Sequence, residues 1–184
     1  ASLRLEVSYH LAHAQLQSGL PWQAQETIRR TQRLLRESGL SRIRIMTAVS
    51  QAGVEFACGN LDAAGDLLRR VRGLEQAPSA VRLDFWKIRG GVRLRRGDQP
   101  AALAAHQRGS EEAYRVGWMA RKSFHDAMCA VLTGSGDDLG QALGWLHQRG
   151  HRQLSARVLL AGARVGADPE VMSAAVGAAR DSGN

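Results

Sequence analysis

At 184 residues and 44% hydrophobic content, the chain can bury one core, or an elongated row of small cores, without metal or disulfide support. Its net charge of +8 rests almost wholly on arginine, Lys87 and Lys122 being the only lysines. Such a basic surface attracts nucleic acid, acidic proteins and anionic membrane alike, so charge alone selects none of them. Cys58 and Cys129 stand far apart, with no CxxC pair and no histidine at ligand spacing, which argues against a zinc ribbon or a redox pair. No apolar run reaches the roughly 18 residues of a membrane span, and no signal-peptide pattern occurs. The expected setting is the cytoplasm, without a membrane partner. The start at Ala1, almost inside a helical pattern, reads as the edge of a single domain over 1–184 cut from something longer.

In chain order, apolar residues recur at helical spacing and never alternate for long, so the expected class is all-α. The stretch LRLEVSYHLAHAQLQ opens the chain as a helix, with Leu3, Val7, Leu11 and Ala14 on one face. Ile28, Leu34 and Leu35 mark a second helix. One spacing of small residues then repeats in register: Ala12, Gly19, Ala24, next Ala52, Gly59, Ala64, next Gly90, Gly97, Ala102, at steps of 40 and 38 residues. A looser fourth copy holds Ala130, the TGSGDD loop and Ala142, and HRQLSARVLLAGARVG followed by ADPEVMSAAVGAARD suggests a fifth pair. The reading is a solenoid of about five antiparallel helical hairpins with a period near 40 residues.

Each repeated position has a physical job. Gly19, Gly59 and Gly97 end a first helix, because the residue just past a helix often adopts a left-handed conformation that glycine reaches cheaply. Asn60, Asp98 and Asp168 are expected to cap the helices that follow, with Pro169 at a first helical position. The small residues at Ala12, Ala52 and Gly90, and at Ala24, Ala64 and Ala102, allow two helices to cross closely. A hairpin buries one face by itself, and stacking completes the core.

The order Trp86, Gly90, Gly97, Asp98, Ala102 resembles the tetratricopeptide repeat; the earlier copies have Ser8 and Ala48 at the tryptophan position. The longer period is similar to that of the helical-repeat regions of bacterial transcriptional regulators of the MalT and LuxR type. The resemblance implies a non-catalytic module for protein interaction or effector sensing. It also implies a groove lined by the first helices: Tyr9, His13 and Leu16; Val49, Gly53 and Phe56; Lys87, Gly91, Leu94 and Arg95. Apolar at one end and basic at the other, that lining suits an acidic, apolar protein segment, supplied by a partner, another domain of the same chain or a second copy. A small effector is the other candidate, and a nucleic-acid-binding basic solenoid is the alternative function.

Other motifs point to structure. His10 and His13 share a helix face without a third metal ligand. The TGSGDDLGQAL loop lacks a phosphate-binding lysine, and Asp137 and Asp138 suit a helix N-terminus instead. No nucleophile elbow or HExxH helix occurs, so no catalytic residue, cofactor or metal is expected. Arg29, Arg30, Arg33 and Arg36 form one basic ridge on a second helix, read as solvated, and Arg89, Arg93 and Arg96 form another on a first helix.

Overall fold

The computed structural model describes the backbone of residues 2–38 and 41–181, and the side chains of residues 7–16, 18–32 and 43–177. Among the described residues there are ten α-helices and no strand, so the chain is all-α. In order these are α1 (Ser2–Gln17), α2 (Pro21–Ser38), α3 (Ser41–Ala57), α4 (Leu61–Arg70), α5 (Ser79–Arg95), α6 (Gln99–Arg115), α7 (Met119–Thr133), α8 (Gly136–Gln148), α9 (Arg152–Arg164) and α10 (Pro169–Asp181). A short 3-10 turn at Leu74–Gln76 precedes α5. The chain divides into two compact units, residues 1–92 and 93–184.

The predicted turn chemistry is present. Gly19, Gly59 and Gly97 have φ of +73°, +88° and +79°, in the left-handed region. The following amide then reaches back to a carbonyl one turn inside the helix: Leu20 N to Gln15 O at 2.9 Å, Asn60 N to Glu55 O at 2.8 Å and Asp98 N to Arg93 O at 3.0 Å. The Asp98 carboxylate accepts from Ala101 N at 3.2 Å, and that of Asp168 from Glu170 N at 2.8 Å, as expected of N-caps. Asn60 stands at the cap position, but its side-chain amide donates to Glu55 at 2.8 Å, where a carboxylate is the stronger acceptor, and caps nothing. In the TGSGDD loop the cap position belongs to Ser135, whose hydroxyl donates to Asp138 at 2.7 Å; Asp137 and Asp138 lie in the first turn of α8.

In the first unit the small repeated residues Ala12, Ala24, Ala52 and Ala64 are fully buried. Ala52 and Ala64 pack with Met46, Val49, Leu68, Val81, Phe85 and Ile88, with Trp86 half-buried at the margin, while Ala12 and Ala24 pack with Ile28 and Val54. Gly53 lets three helices approach: a Cβ there would meet Ile88 Cδ1 of α5 at 3.3 Å and Leu16 Cδ1 of α1 at 3.5 Å. Leu3, Leu34 and Leu35, expected on apolar faces, lie outside the residues whose side chains are described.

The second unit is built on Phe124, Met128, Leu139, Leu143 and Val158, with Leu94 packed against them and Ala102 fully buried. The last two helices differ from a simple hairpin. α10 packs chiefly along α8, where Ala175 joins the core, and touches α9 only slightly, with Met172 over Gly162. A Cβ at Gly162 would run into Met172, whereas Gly177 has open space around it.

Gly109 of α6 carries the tightest approach in this unit. The His125 ring of α7 lies where a Cβ would stand, and His125 is fully buried. Gly109→Ala should therefore destabilise the protein by about 1–3 kcal/mol through overpacking, despite the roughly 1 kcal/mol that alanine gains over glycine in a helix. Gly177→Ala should stabilise by about 0.4–1 kcal/mol. Chemical denaturation of the two variants checks the pair, and equal signs would contradict the packing described.

Candidate functional site

The groove positions named from sequence fall into two groups. Tyr9, His13 and Lys87 converge on one buried carboxylate, Asp84, which is 5% exposed. Lys87 Nζ donates to Asp84 Oδ1 at 2.9 Å, one helical turn away on α5; His13 Nδ1 is 3.3 Å and the Tyr9 hydroxyl 3.5 Å from Oδ2. Taking a carboxylate out of water is costly unless a cation and hydrogen bonds compensate it, and these three side chains do so. Tyr9 and Val49 are core residues, Leu16 rests on Gly53, and the tip of the Phe56 ring abuts Gly91, where a Cβ would come within 2.7 Å of Cζ. His10 is an exposed surface residue, edge-on to Tyr9. Of the remaining two positions, Leu94 packs into the second unit's core and Arg95 is exposed.

Three arginines of the two basic ridges have acid partners. Arg29 and Arg30 both lean on Glu26, at 4.0 and 2.9 Å, while the side chains of Arg33 and Arg36 lie outside the described residues. Arg93 bonds Asp98 at 3.0 Å. Arg89 is exposed, and its guanidinium stands 5.8 Å from the Phe85 ring and 5.6 Å from that of Trp86, so its stem covers aromatic surface as a snorkelling side chain does.

An open cavity of about 470 Å³ lies in the second unit. It is built by turns of the same kind as those at Gly19 and Gly59. Gly117 and Gly150 are left-handed, and the residues after them, Trp118 and His151, donate their amides back to Ala113 O at 2.9 Å and Leu146 O at 2.8 Å. Each of these two residues also begins a helix, α7 and α9. The turn geometry thus holds Trp118 and His151 at one edge, and the end of α8 adds Trp145 and Arg149 beside them. His151 stacks on Trp145 at 6.0 Å with 12° between the rings, and the Arg149 guanidinium sits 5.4 Å from the same indole. Met119, Ala120 and Arg121 complete the wall.

The chemistry of this lining is one-sided. Two indoles and a thioether offer apolar and π surface; two arginines offer positive charge, and they and a histidine offer hydrogen-bonding groups; no carboxylate lines the cavity. Neither α7 nor α9 carries an acid in its first turn, so nothing there offsets the positive end of the helix dipole. Trp118 and Met119 remain 43% and 40% exposed.

Two buried histidines of the second unit face one another. His106 and His125 meet at 3.0 Å between their Nδ1 atoms, so one ring donates and the other accepts. Burial lowers the His106 pKa to about 4, which keeps that ring neutral. Cys58 and Cys129 are free thiols, and burial, reinforced by Asp126, pushes Cys129 up to about 11. Among the described residues no three His, Cys, Asp or Glu side chains are grouped to hold a metal ion, and no helix is long and apolar enough to cross a membrane.

Asp84 and the cavity both escape a reading of the sequence. Asp84 had a faint signal, an acid in the apolar run VRLDFWKI one turn before a lysine. For the cavity the signal was positional: Trp118 and His151 each follow a glycine where copies two and three have Asn60 and Asp98. Comparison of the chain with family models, curated proteins and solved structures finds no match in any of the three.

Proposed function

We propose that this chain is a non-catalytic interaction or effector-sensing module whose partner is received in the Trp118–Trp145 cavity. The observation that carries this reading is the composition of that cavity, apolar and cationic without an acid, with two of its apolar side chains left substantially open to solvent. Binding pockets combine a mostly apolar lining with a few polar groups that fix orientation, and surface tryptophan and arginine are the residue types that most often dominate binding energy. The polar clusters elsewhere are engaged internally: Asp84 with Lys87 and His13, and His106 with His125.

The module is a tetratricopeptide-like solenoid with a period near 40 residues. In support, the odd-numbered helices begin at residues 2, 41, 79, 119 and 152, steps of 39, 38, 40 and 33. Together with the sequence resemblance, that spacing suggests the regulatory part of a larger cytoplasmic bacterial transcriptional regulator. The partner segment is acidic and apolar, as the groove reading also required, but its seat shifts from the first helices of the first unit to the turns of the second. In the first unit Phe56 packs on Gly91 and Lys87 is ion-paired with Asp84.

A random peptide library displayed against the immobilised chain tests this reading. The expected result is enrichment of peptides whose binding drops on Trp145→Ala. Enriched peptides indifferent to that change, or no enrichment at all, would contradict it.

A further inference from the structure

Resting on that reading, we propose that the cavity takes a single aromatic side chain of an extended partner segment, with a neighbouring carboxylate held by Arg149. Trp118, 43% exposed, supplies open indole surface for the ring, since aromatic pairs gain from offset and edge-on contact beyond the area they bury, while Trp145 lines the same cavity as the support on which Arg149 and His151 rest. The Arg149 guanidinium stands over the Trp145 ring, 5.4 Å from its centroid, and its planar fork of N–H donors matches a carboxylate. His151, stacked on the same indole, adds a hydrogen-bonding group on that side.

Two observations select a peptide over other anionic aromatics. A free small molecule is normally buried on most of its surface, whereas this cavity is shallow and its apolar surface runs outward through half-exposed Trp118 and Met119. Tyr114, on the same hairpin, is 69% exposed. A chain that continues past the cavity uses such surface. Single-stranded nucleic acid also stacks on indoles, but needs a run of cations along its phosphates. On α6 that run is interrupted, because Arg108 is tied to Glu111 at 3.2 Å and Arg115 to Glu112 at 2.8 Å.

The test uses the whole chain and four fluorescein-labelled probes, followed by anisotropy. The first is a short peptide with a central phenylalanine and two glutamates on each side. The second has alanine at the centre, the third has glutamines for the glutamates, and the fourth is a short oligothymidylate. The first peptide should bind, and the second and third should each bind about tenfold more weakly or worse. Trp145→Ala and Arg149→Gln should each weaken the first peptide by a similar factor, while Trp22→Ala, at an exposed indole of the first unit, should leave it unchanged. Arg149 is exposed, so Arg149→Gln keeps the test valid even if Trp145→Ala perturbs folding. Equal binding of the first three probes, no binding of the first, or tighter binding of the oligothymidylate that is lost in Arg149→Gln would each overturn the proposal. If the display library yields cavity binders without an acid-flanked aromatic residue, this inference falls and the interaction reading stands.

Discussion

Lys87→Met should cost the protein about 3–5 kcal/mol of stability, the range for removing one partner of a buried ion pair. Asp84 is 5% exposed and the side chain of Lys87 is 17% exposed, so neither charge can turn to water without moving a helix. Methionine matches the aliphatic stem of lysine but takes the ammonium away from the carboxylate. The double variant Asp84→Leu with Lys87→Met should recover most of the loss, because replacing both charges with apolar groups removes the desolvation cost along with the attraction. Urea denaturation of the two single variants, the double and the parent gives the coupling directly. Lys87 exposed on a partner groove would predict a single variant that unfolds with the parent and no coupling at all.

Lowering the pH from 7 to 4 should cost about 3 kcal/mol through His106 alone. Its folded pKa is about 4 against an ordinary value of 6.5, with burial as the cause. Above pH 6.5 the ring is neutral in both folded and unfolded chains, and its contribution is fully present. Between 6.5 and 4 the unfolded chain binds a proton that the folded chain does not, so stability falls as pH falls, at up to about 1.4 kcal/mol per pH unit. The ring is 1% exposed, faces His125 at 3.0 Å and lies edge-on to Phe124, so a proton on it would be held without water or a carboxylate. Denaturant titrations across this range should show the slope, and His106→Leu should remove this histidine's share of it. A His106 imidazole that titrates near 6.5 in the folded protein would refute the burial argument.

The sequence was most legible where a residue's role is local. A left-handed turn requires glycine within a few residues of the helix it ends, so Gly19, Gly59 and Gly97 could be placed from spacing, and each takes that conformation. Helix crossings need small side chains at regular intervals, and Ala12, Ala24, Ala52, Ala64 and Ala102 are all fully buried. Roles that depend on which helices face one another were hidden. Tyr9, His13 and Lys87 were legible as one face of the first helices, but what they face is Asp84, some 75 residues from Tyr9 in the chain. Periodicity marks Trp118 and Trp145 as aromatic without saying which aromatics are covered. Only the pairing of two turns, at Gly117 and Gly150, opens a cavity between them. The His106–His125 contact is of the same kind, set by a glycine notch at Gly109 that spacing alone does not reveal.

Backbone hydrogen exchange of the whole chain, with and without the acid-flanked phenylalanine peptide at saturation, tests the location of the site most directly. The account predicts slowed exchange at residues 118–121 and 145–152, the turns and helix ends that wall the cavity, with the first unit unchanged. Protection confined to α1, α3 and α5 around Leu16, Phe56 and Lys87 would contradict it and return the binding surface to the groove of first helices.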